Sequence, residues 1–284
     1  MSTKKIIKID SQILNSFSQC ERLFEIGHVL NLRGIGEQYS LERGQLCHDI
    51  LHKYYDELKA SRNKLASRTK ALEFGRYKAS FYGAIDTPRA MEILDNMGQY
   101  FNYYSNERWL PIDTEQIHKK VIYEDDEIAV LYVCKIDVTV TGESADIPLM
   151  PVDHKTYDRW FDPLIGDNQF TGYTTILGVD WITINKIGFQ KSYGPEKKFR
   201  RVKLGPYNEP KKEEWIHNTV RLCKDMIFCL ETGTFPMRRS QCGMYGGCKG
   251  LPICDSDPRA RQGIMDKLYK ITEPWNPEKA ESGD

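Results

Sequence analysis

Between Gln116 and Tyr157 three β-rich runs follow one another, IHKKVIYE, IAVLYVCKIDVTV and IPLMPVDHKTY, and they constrain the fold more than any other feature. Alternating in part and continuously β-branched in part, they read as three strands of one sheet. The flanks carry helical patterns. Ser11 to about Val29 has apolar residues at Ile13, Leu14, Phe17, Leu23, Phe24 and Ile26, with Ser11 as the expected cap. LERGQLCHDILHKYYDEL, from Leu41, sets Leu51 and Tyr55 one turn apart beyond His48, and a third helix is expected from Arg89 to Trp109 after Asp86-Thr87-Pro88. Downstream, Asp167 to Val179 reads as a helix, WITINKIGFQKS and KFRRVKLGPY as strands, and Pro210 to Thr232 as a long helix stopped by Gly233.

The fold expected is therefore α/β, with a central mixed sheet flanked by helices. Residues 1–110 form a helical N-terminal region, 111–232 the sheet-bearing core with its following helix, and 233–284 a cysteine-rich segment ending in the tail NPEKAESGD. The three are expected to act as one integrated domain.

Forty basic and forty acidic residues cancel, so overall charge does not announce a nucleic-acid binder and any such contact must come from local patches. No run of eighteen apolar residues occurs, and MSTKKIIKID lacks the pattern of a secretory signal. The chain reads as soluble and cytoplasmic, with no membrane partner. In such a compartment the eight cysteines are not expected to pair as disulfides. Cys47, Cys134, Cys223 and Cys229 lie in apolar or helical patterns and read as core residues.

In VDHKT, Asp153 and Lys155 stand two apart on a strand, so both side chains emerge on one face. Asp137, ending the apolar run CKID, offers a second carboxylate from a neighbouring strand. Carboxylates that hold Mg²⁺ or Mn²⁺ beside an ammonium suit phosphodiester hydrolysis, because the cation offsets phosphate charge and acidifies water. An Asp-x-Lys alone also occurs as a solvated surface pair. Both aspartates, however, follow strongly apolar segments, where an unpartnered carboxylate is costly. Gln169 and Tyr173, four apart, share a helix face nearby.

These elements, in this order, resemble the RecB-like branch of the PD-(D/E)xK nuclease superfamily over residues 11 to 254. Gly44 and His48 match its first motif, Asp137 its second, Asp153-His154-Lys155 its third, and Gln169 with Tyr173 its QxxxY motif. The resemblance implies that His48, Asp137, Asp153 and the main-chain carbonyl of His154 are metal ligands, that Lys155 orients or stabilises the attacking water, and that Gln169 and Tyr173 bind the DNA backbone. It also implies end-processing of single-stranded or frayed DNA, in a setting such as phage-type recombination or CRISPR adaptation in a bacterial, archaeal or phage-infected cell. A catalytically idle DNA-binding scaffold is the alternative; keeping Asp137, Asp153 and Lys155 together argues against it.

CGMYGGCKGLPIC places Cys242, Cys248 and Cys254 in a glycine-rich stretch without apolar periodicity, where a loop around a metal is the natural reading. Cys20 is the best fourth ligand, and four thiolates suit either zinc or an iron–sulfur cluster. Iron–sulfur members of the resembled branch carry one cysteine before the nuclease core and three after it, which implies a [4Fe–4S] cluster over zinc, although the gap from Cys242 to Cys248 exceeds their usual CxxC pair. Finally, KKFRRVK and Lys211-Lys212 form a basic patch, with Arg200 and Arg201 as candidate phosphate contacts and Tyr193 and Tyr207 as stacking partners; a solvated strand face is the other reading.

Overall fold

A computed structural model describes residues 4–36, 38–144, 147–158, 166–243 and 247–276, so residues 277–284 of the expected tail lie outside it. In chain order the elements are β1 (Lys5–Ile9), α1 (Ser11–Gln19), α2 (Glu21–Phe24), β2 (Leu32–Gly34), α3 (Tyr39–Ser61), α4 (Lys64–Ala79), α5 (Thr87–Tyr103), β3 (Pro111–Glu124), β4 (Ile128–Ser144), β5 (Ile147–Tyr157), α6 (Asn168–Leu177), β6 (Ile182–Gly188), α7 (Pro195–Lys198), β7 (Phe199–Leu204), α8 (Glu209–Thr232), α9 (Leu251–Asp255), α10 (Arg261–Leu268) and β8 (Tyr269–Ile271). The main sheet is mixed, in the order β1-β4-β5-β6-β7 with β3 also on β4, as expected. Two compact units organise the chain: Met1–Gly36, Lys119–Cys134 and Glu209–Asp284 in one, Glu37–His118 and Lys135–Asn208 in the other.

In the first unit β1 pairs in parallel with the start of β4, from Lys5 opposite Ile128 to Ile9 opposite Tyr132. Asp10, rather than Ser11, caps α1 by accepting the Ile13 N–H at 2.8 Å. The helix expected through Val29 breaks at Cys20, whose φ of −169° and ψ of 124° are extended; α2 then passes into a π-helical turn at Glu25–Val29. The break was hidden because apolar spacing continues across it. β2 pairs antiparallel with β8, and Ile26, Ile253 and Tyr269 form a small buried cluster.

In the second unit α3 and α4 make a hairpin. Arg62, at φ 58°, closes α3, and Asn63 caps α4 by accepting from Ala66 N. The two helices approach so closely at Gly75 that a Cβ there would lie 2.5 Å from Ile50 Cγ1. The third helix stops at Tyr103, short of the expected Trp109. Antiparallel pairing sets Val138 opposite Val152, while parallel pairing sets Asp153 opposite Ile184 and Lys155 opposite Lys186. Leu46, Ile50, Leu51 and Tyr55 of α3 are buried in one core with Val138, Val140, Met150 and Val152 of the sheet. Each such side chain contributes about 1.5–3 kcal/mol on burial, which fixes α3 against the strands bearing the acidic residues. Cys47, Cys134, Cys223 and Cys229 are buried, as core residues should be, and burial pushes the first three thiols up to about 12.

Candidate active site

The site grows out of the register of β4 and β5. With Val138 opposite Val152, Asp137 and Asp153 stand one residue past that pair on facing strands, so their side chains share a face. Asp137 Oδ2 accepts the His154 N–H at 2.7 Å. Helix α3 brings His48. Gly44, one turn earlier, lets the helix lie close to β5, since a Cβ there would meet Thr156 Oγ1 at 3.3 Å. Arg43 ties the same turn to Asp158 through bonds of 2.8 and 2.9 Å and lies 4.4 Å over the Phe189 ring.

His48 Nδ1 lies 3.5 Å from Asp137 Oδ2. Burial disfavours the imidazolium, but the adjacent Asp137 carboxylate outweighs it and raises His48 to about 9. Burial pushes Asp137 up as well, and the His48 charge more than reverses it, leaving this carboxyl well below the usual range. Asp153 goes the other way: burial and the charge of Asp137 raise it against the pull of Lys155. Lys155 Nζ pairs with Asp153 Oδ2 at 2.8 Å, while Gln169 Nε2 donates to Asp153 Oδ1 at 3.0 Å. Gln169 Nε2 also donates to the Tyr173 hydroxyl at 2.8 Å, and that hydroxyl donates to the Lys135 carbonyl at 2.8 Å. The helix residues thus brace the Asp153 carboxylate.

The His154 ring turns to the other side of its strand. It stacks on Tyr55 at 5.7 Å with 7° between planes and meets Asn185 Nδ2 through Nδ1 at 2.8 Å. Burial lowers its pKa to about 3, so the ring is neutral.

Glu115 is the residue that sequence reasoning missed. Its carboxylate, the imidazole of His48 and the carboxylate of Asp137 bring donor atoms within 4.8 Å of one another, and they are the one such grouping of three or more among the described residues. Burial and the like charge of Asp137 raise the Glu115 carboxyl, against an ion pair with Lys135. Two crowded carboxylates and an imidazole form an oxygen-rich donor set that a divalent cation would relieve. Asp153 lies outside that grouping; its Oδ1 accepts from Gln169, while its buried Oδ2 faces the Lys155 ammonium and accepts no hydrogen bond from the described residues. Glu115 reaches the site through an unusual backbone, φ 50° for a non-glycine residue within β3, the kind of local strain a functional site retains.

The basic patch is corrected at two positions. Arg201 is sandwiched between the rings of Tyr104 and Trp109, 3.7 and 3.6 Å from their centroids, pairs with Glu107 and donates to Tyr100 at 3.2 Å. Its guanidinium is spent inside the fold, and Tyr207 is likewise buried at 1% exposure. Arg200 is exposed. Replacing Arg201 with alanine strands Glu107 as a buried unpaired charge, so urea denaturation should show a loss of about 3–5 kcal/mol.

Cys20, Cys242, Cys248 and Cys254 converge on one hollow, lined also by Leu23, Ile26 and Met237. Cys20 Sγ accepts the Arg238 N–H and Cys248 Sγ the Gly250 N–H, each at 3.4 Å. Burial, and then the other three thiols against the pull of Arg22, raise Cys254. Four sulfurs lining one hollow, two of them accepting backbone N–H groups, are a donor set of the kind that thiolate-bound metals use.

A mixed sheet bearing Asp137, Asp153 and Lys155, faced by a helix that supplies His48, defines a nuclease-type fold. The sequence pattern of the PD-(D/E)XK nuclease superfamily matches residues 11–255, and the chain belongs to that superfamily. Among solved structures, the alkaline exonuclease LHK-Exo from Laribacter hongkongensis is similar at 10% identity over 70% of this chain and 98% of that one, with a TM-score of 0.32. Its complex with dAMP is similar at 9% identity over 68% and 97%, also at 0.32. SSO0001 is similar at 11% identity and a TM-score of 0.31 over 54% of this chain, which spans 65% of that one. No curated protein matches the chain.

Proposed function

We propose that this protein is a metal-dependent deoxyribonuclease that hydrolyses phosphodiester bonds as an exonuclease on single-stranded or frayed DNA ends. The observation that carries this reading is the convergence of His48, Glu115 and Asp137 beside the Lys155–Asp153 pair. His48, Glu115 and Asp137 would hold Mg²⁺ or Mn²⁺, with Asp153 and the His154 main-chain carbonyl as further oxygen donors. Bound there, the cation would offset phosphodiester charge and acidify the attacking water.

The protein's own groups do the rest. Lys155, kept cationic by Asp153 despite burial, orients the water and stabilises hydroxide as it forms. Gln169 holds the Asp153 carboxylate and Tyr173 holds Gln169, which makes them positioning residues, with half-buried Gln169 the one that would meet the DNA backbone. Four-thiolate ligation of a [4Fe–4S] cluster by Cys20, Cys242, Cys248 and Cys254 completes the reading. Zinc, which also takes four thiolates, is the less favoured occupant. The setting proposed is cytoplasmic recombination or CRISPR adaptation, with proteins of those pathways as partners; among the described residues no helix is long and apolar enough to cross a membrane.

The test is degradation of end-labelled single-stranded DNA with Mn²⁺. Lys155→Ala should cut at least a hundredfold more slowly than wild type, the scale of losing one preorganised electrostatic contact, about 10²–10³. Labels at the 5′ and 3′ ends read the polarity. Equal degradation by both proteins removes Lys155 from the chemistry, and no degradation by wild type leaves the idle-scaffold alternative in its place.

A further inference from the structure

Helix α4 ends in an exposed aromatic surface that the active site does not use. Tyr77 and Phe81, one turn apart, are 62% and 64% exposed, with ring centroids 4.9 Å apart and planes at 68°. Lys78 lies between two rings, its Nζ 5.8 Å from the Phe74 centroid and 6.0 Å from that of Phe81. Helix α4 carries five basic residues against the single acid Glu73. The first three are engaged: Lys64 with the Ser105 and Glu107 carbonyls, Arg68 with Asn102, and Lys70 with Glu57. Arg76 and Lys78, on either side of Tyr77, have no acidic partner among the described residues.

The surface stands next to the helix turn that carries His48. Gly75 packs on Ile50, two residues past His48, and the Tyr82 hydroxyl donates to Asp49 Oδ2 at 2.8 Å. Phe81 therefore adjoins a residue anchored one position from the candidate metal ligand.

We propose that Tyr77, Phe81, Arg76 and Lys78 form a platform for a single-stranded segment of the DNA substrate, with unpaired bases stacking on the rings and phosphates meeting the two cations. The proposal rests on the DNA nuclease reading above. Exposed rings flanked by uncompensated cations match the chemistry of an unpaired nucleic-acid strand, which offers a π-face at every base and a charge at every phosphate. A second copy of the chain is a poorer occupant. A stable protein interface takes about 800 Å² from each partner, whereas an aromatic side chain supplies about 150–250 Å² even when wholly covered.

The experiment measures fluorescence polarisation of a labelled oligothymidylate in a Lys155→Ala background, so that the strand stays intact. The paired change Tyr77→Ala/Phe81→Ala should weaken binding about tenfold or more, whereas Tyr77→Trp/Phe81→Trp should retain affinity, because stacking needs an aromatic face. In otherwise wild-type protein the alanine pair should raise KM on single-stranded DNA by a similar factor with kcat unchanged. Unchanged affinity in the alanine pair, or a tryptophan pair as weak as the alanine pair, overturns the platform while leaving the nuclease reading intact. Sedimentation is run in parallel: a wild-type dimer that the alanine pair converts to monomer without loss of DNA affinity assigns the surface to self-association and also overturns it. Absence of DNA binding by the Lys155→Ala parent sinks the substrate reading itself.

Discussion

Replacing Asp137 with asparagine is expected to slow DNA cleavage at least a thousandfold while leaving the fold in place. The amide oxygen can still accept the His154 N–H that Asp137 Oδ2 takes at 2.7 Å, so the strand pairing retains its bond. What disappears is the negative charge shared by His48 and the donor set. His48 loses the partner that holds it near 9, and the carboxylate pair with Glu115 becomes a single carboxylate. Transition-state charge stabilisation by a cation is worth several kcal/mol, and about 4 kcal/mol corresponds to a thousandfold in rate. Thermal melting supplies a readout that does not depend on turnover. Mn²⁺ at a hundred times its Kd should stabilise wild type by about 2.7 kcal/mol, a shift of several degrees in Tm. Asp137→Asn and Glu115→Gln should lose most of that shift. A metal-induced shift of the same size in both variants removes His48, Glu115 and Asp137 as the cation site.

How much of this was legible in the sequence depends on how far each signal travels along the chain. The sheet-borne residues were readable because strand periodicity is local: two residues apart means one face, so Asp153 and Lys155 had to project together. The i to i+4 spacing likewise placed Gln169 and Tyr173 on one helix face, and they do meet there. Glu115 was not readable. It sits two residues ahead of the first recognised run, IHKKVIYE, and reaches the site through a φ of 50° that no glutamate announces. Arg201 was misread for a related reason. KKFRR looks like a solvated strand face, and only the return of Tyr104, Glu107 and Trp109 from almost a hundred residues earlier turns its guanidinium inward. The short β1, KIIKI, offered too few residues for a periodic signal, and its parallel partner lies beyond residue 127. Local pattern therefore gave the elements and the faces, while long-range packing decided which charges face solvent.

The largest effect on stability is expected from Cys20→Ser. Cys20 is where the first helix breaks, and the extended backbone there presents its sulfur to the hollow shared with Cys242, Cys248 and Cys254. A ligand bridge between positions 20 and 242 closes a loop of more than two hundred residues, restricting the unfolded chain about as much as a crosslink can. Because a preformed metal site rarely survives in the unfolded chain, the free energy of metal binding counts as folding free energy, about 10–16 kcal/mol in zinc-finger peptides. On the four-thiolate ligation proposed above, losing Cys20 forfeits much of it. Wild-type protein purified without oxygen should be brown with about four irons per chain. Cys20→Ser should be pale, iron-poor and melt well below wild type. Cys223→Ala is the control that separates a ligand from a core thiol. Its sulfur is wholly buried on α8, so the change should cost stability through a small cavity, about 1 kcal/mol, and leave the colour untouched. Iron loss in both variants to the same degree attributes it to general loosening, and colourless wild-type protein with stoichiometric zinc replaces the cluster with a zinc centre. A Cys20→Ser protein that keeps wild-type colour and melting temperature removes Cys20 from the ligand set.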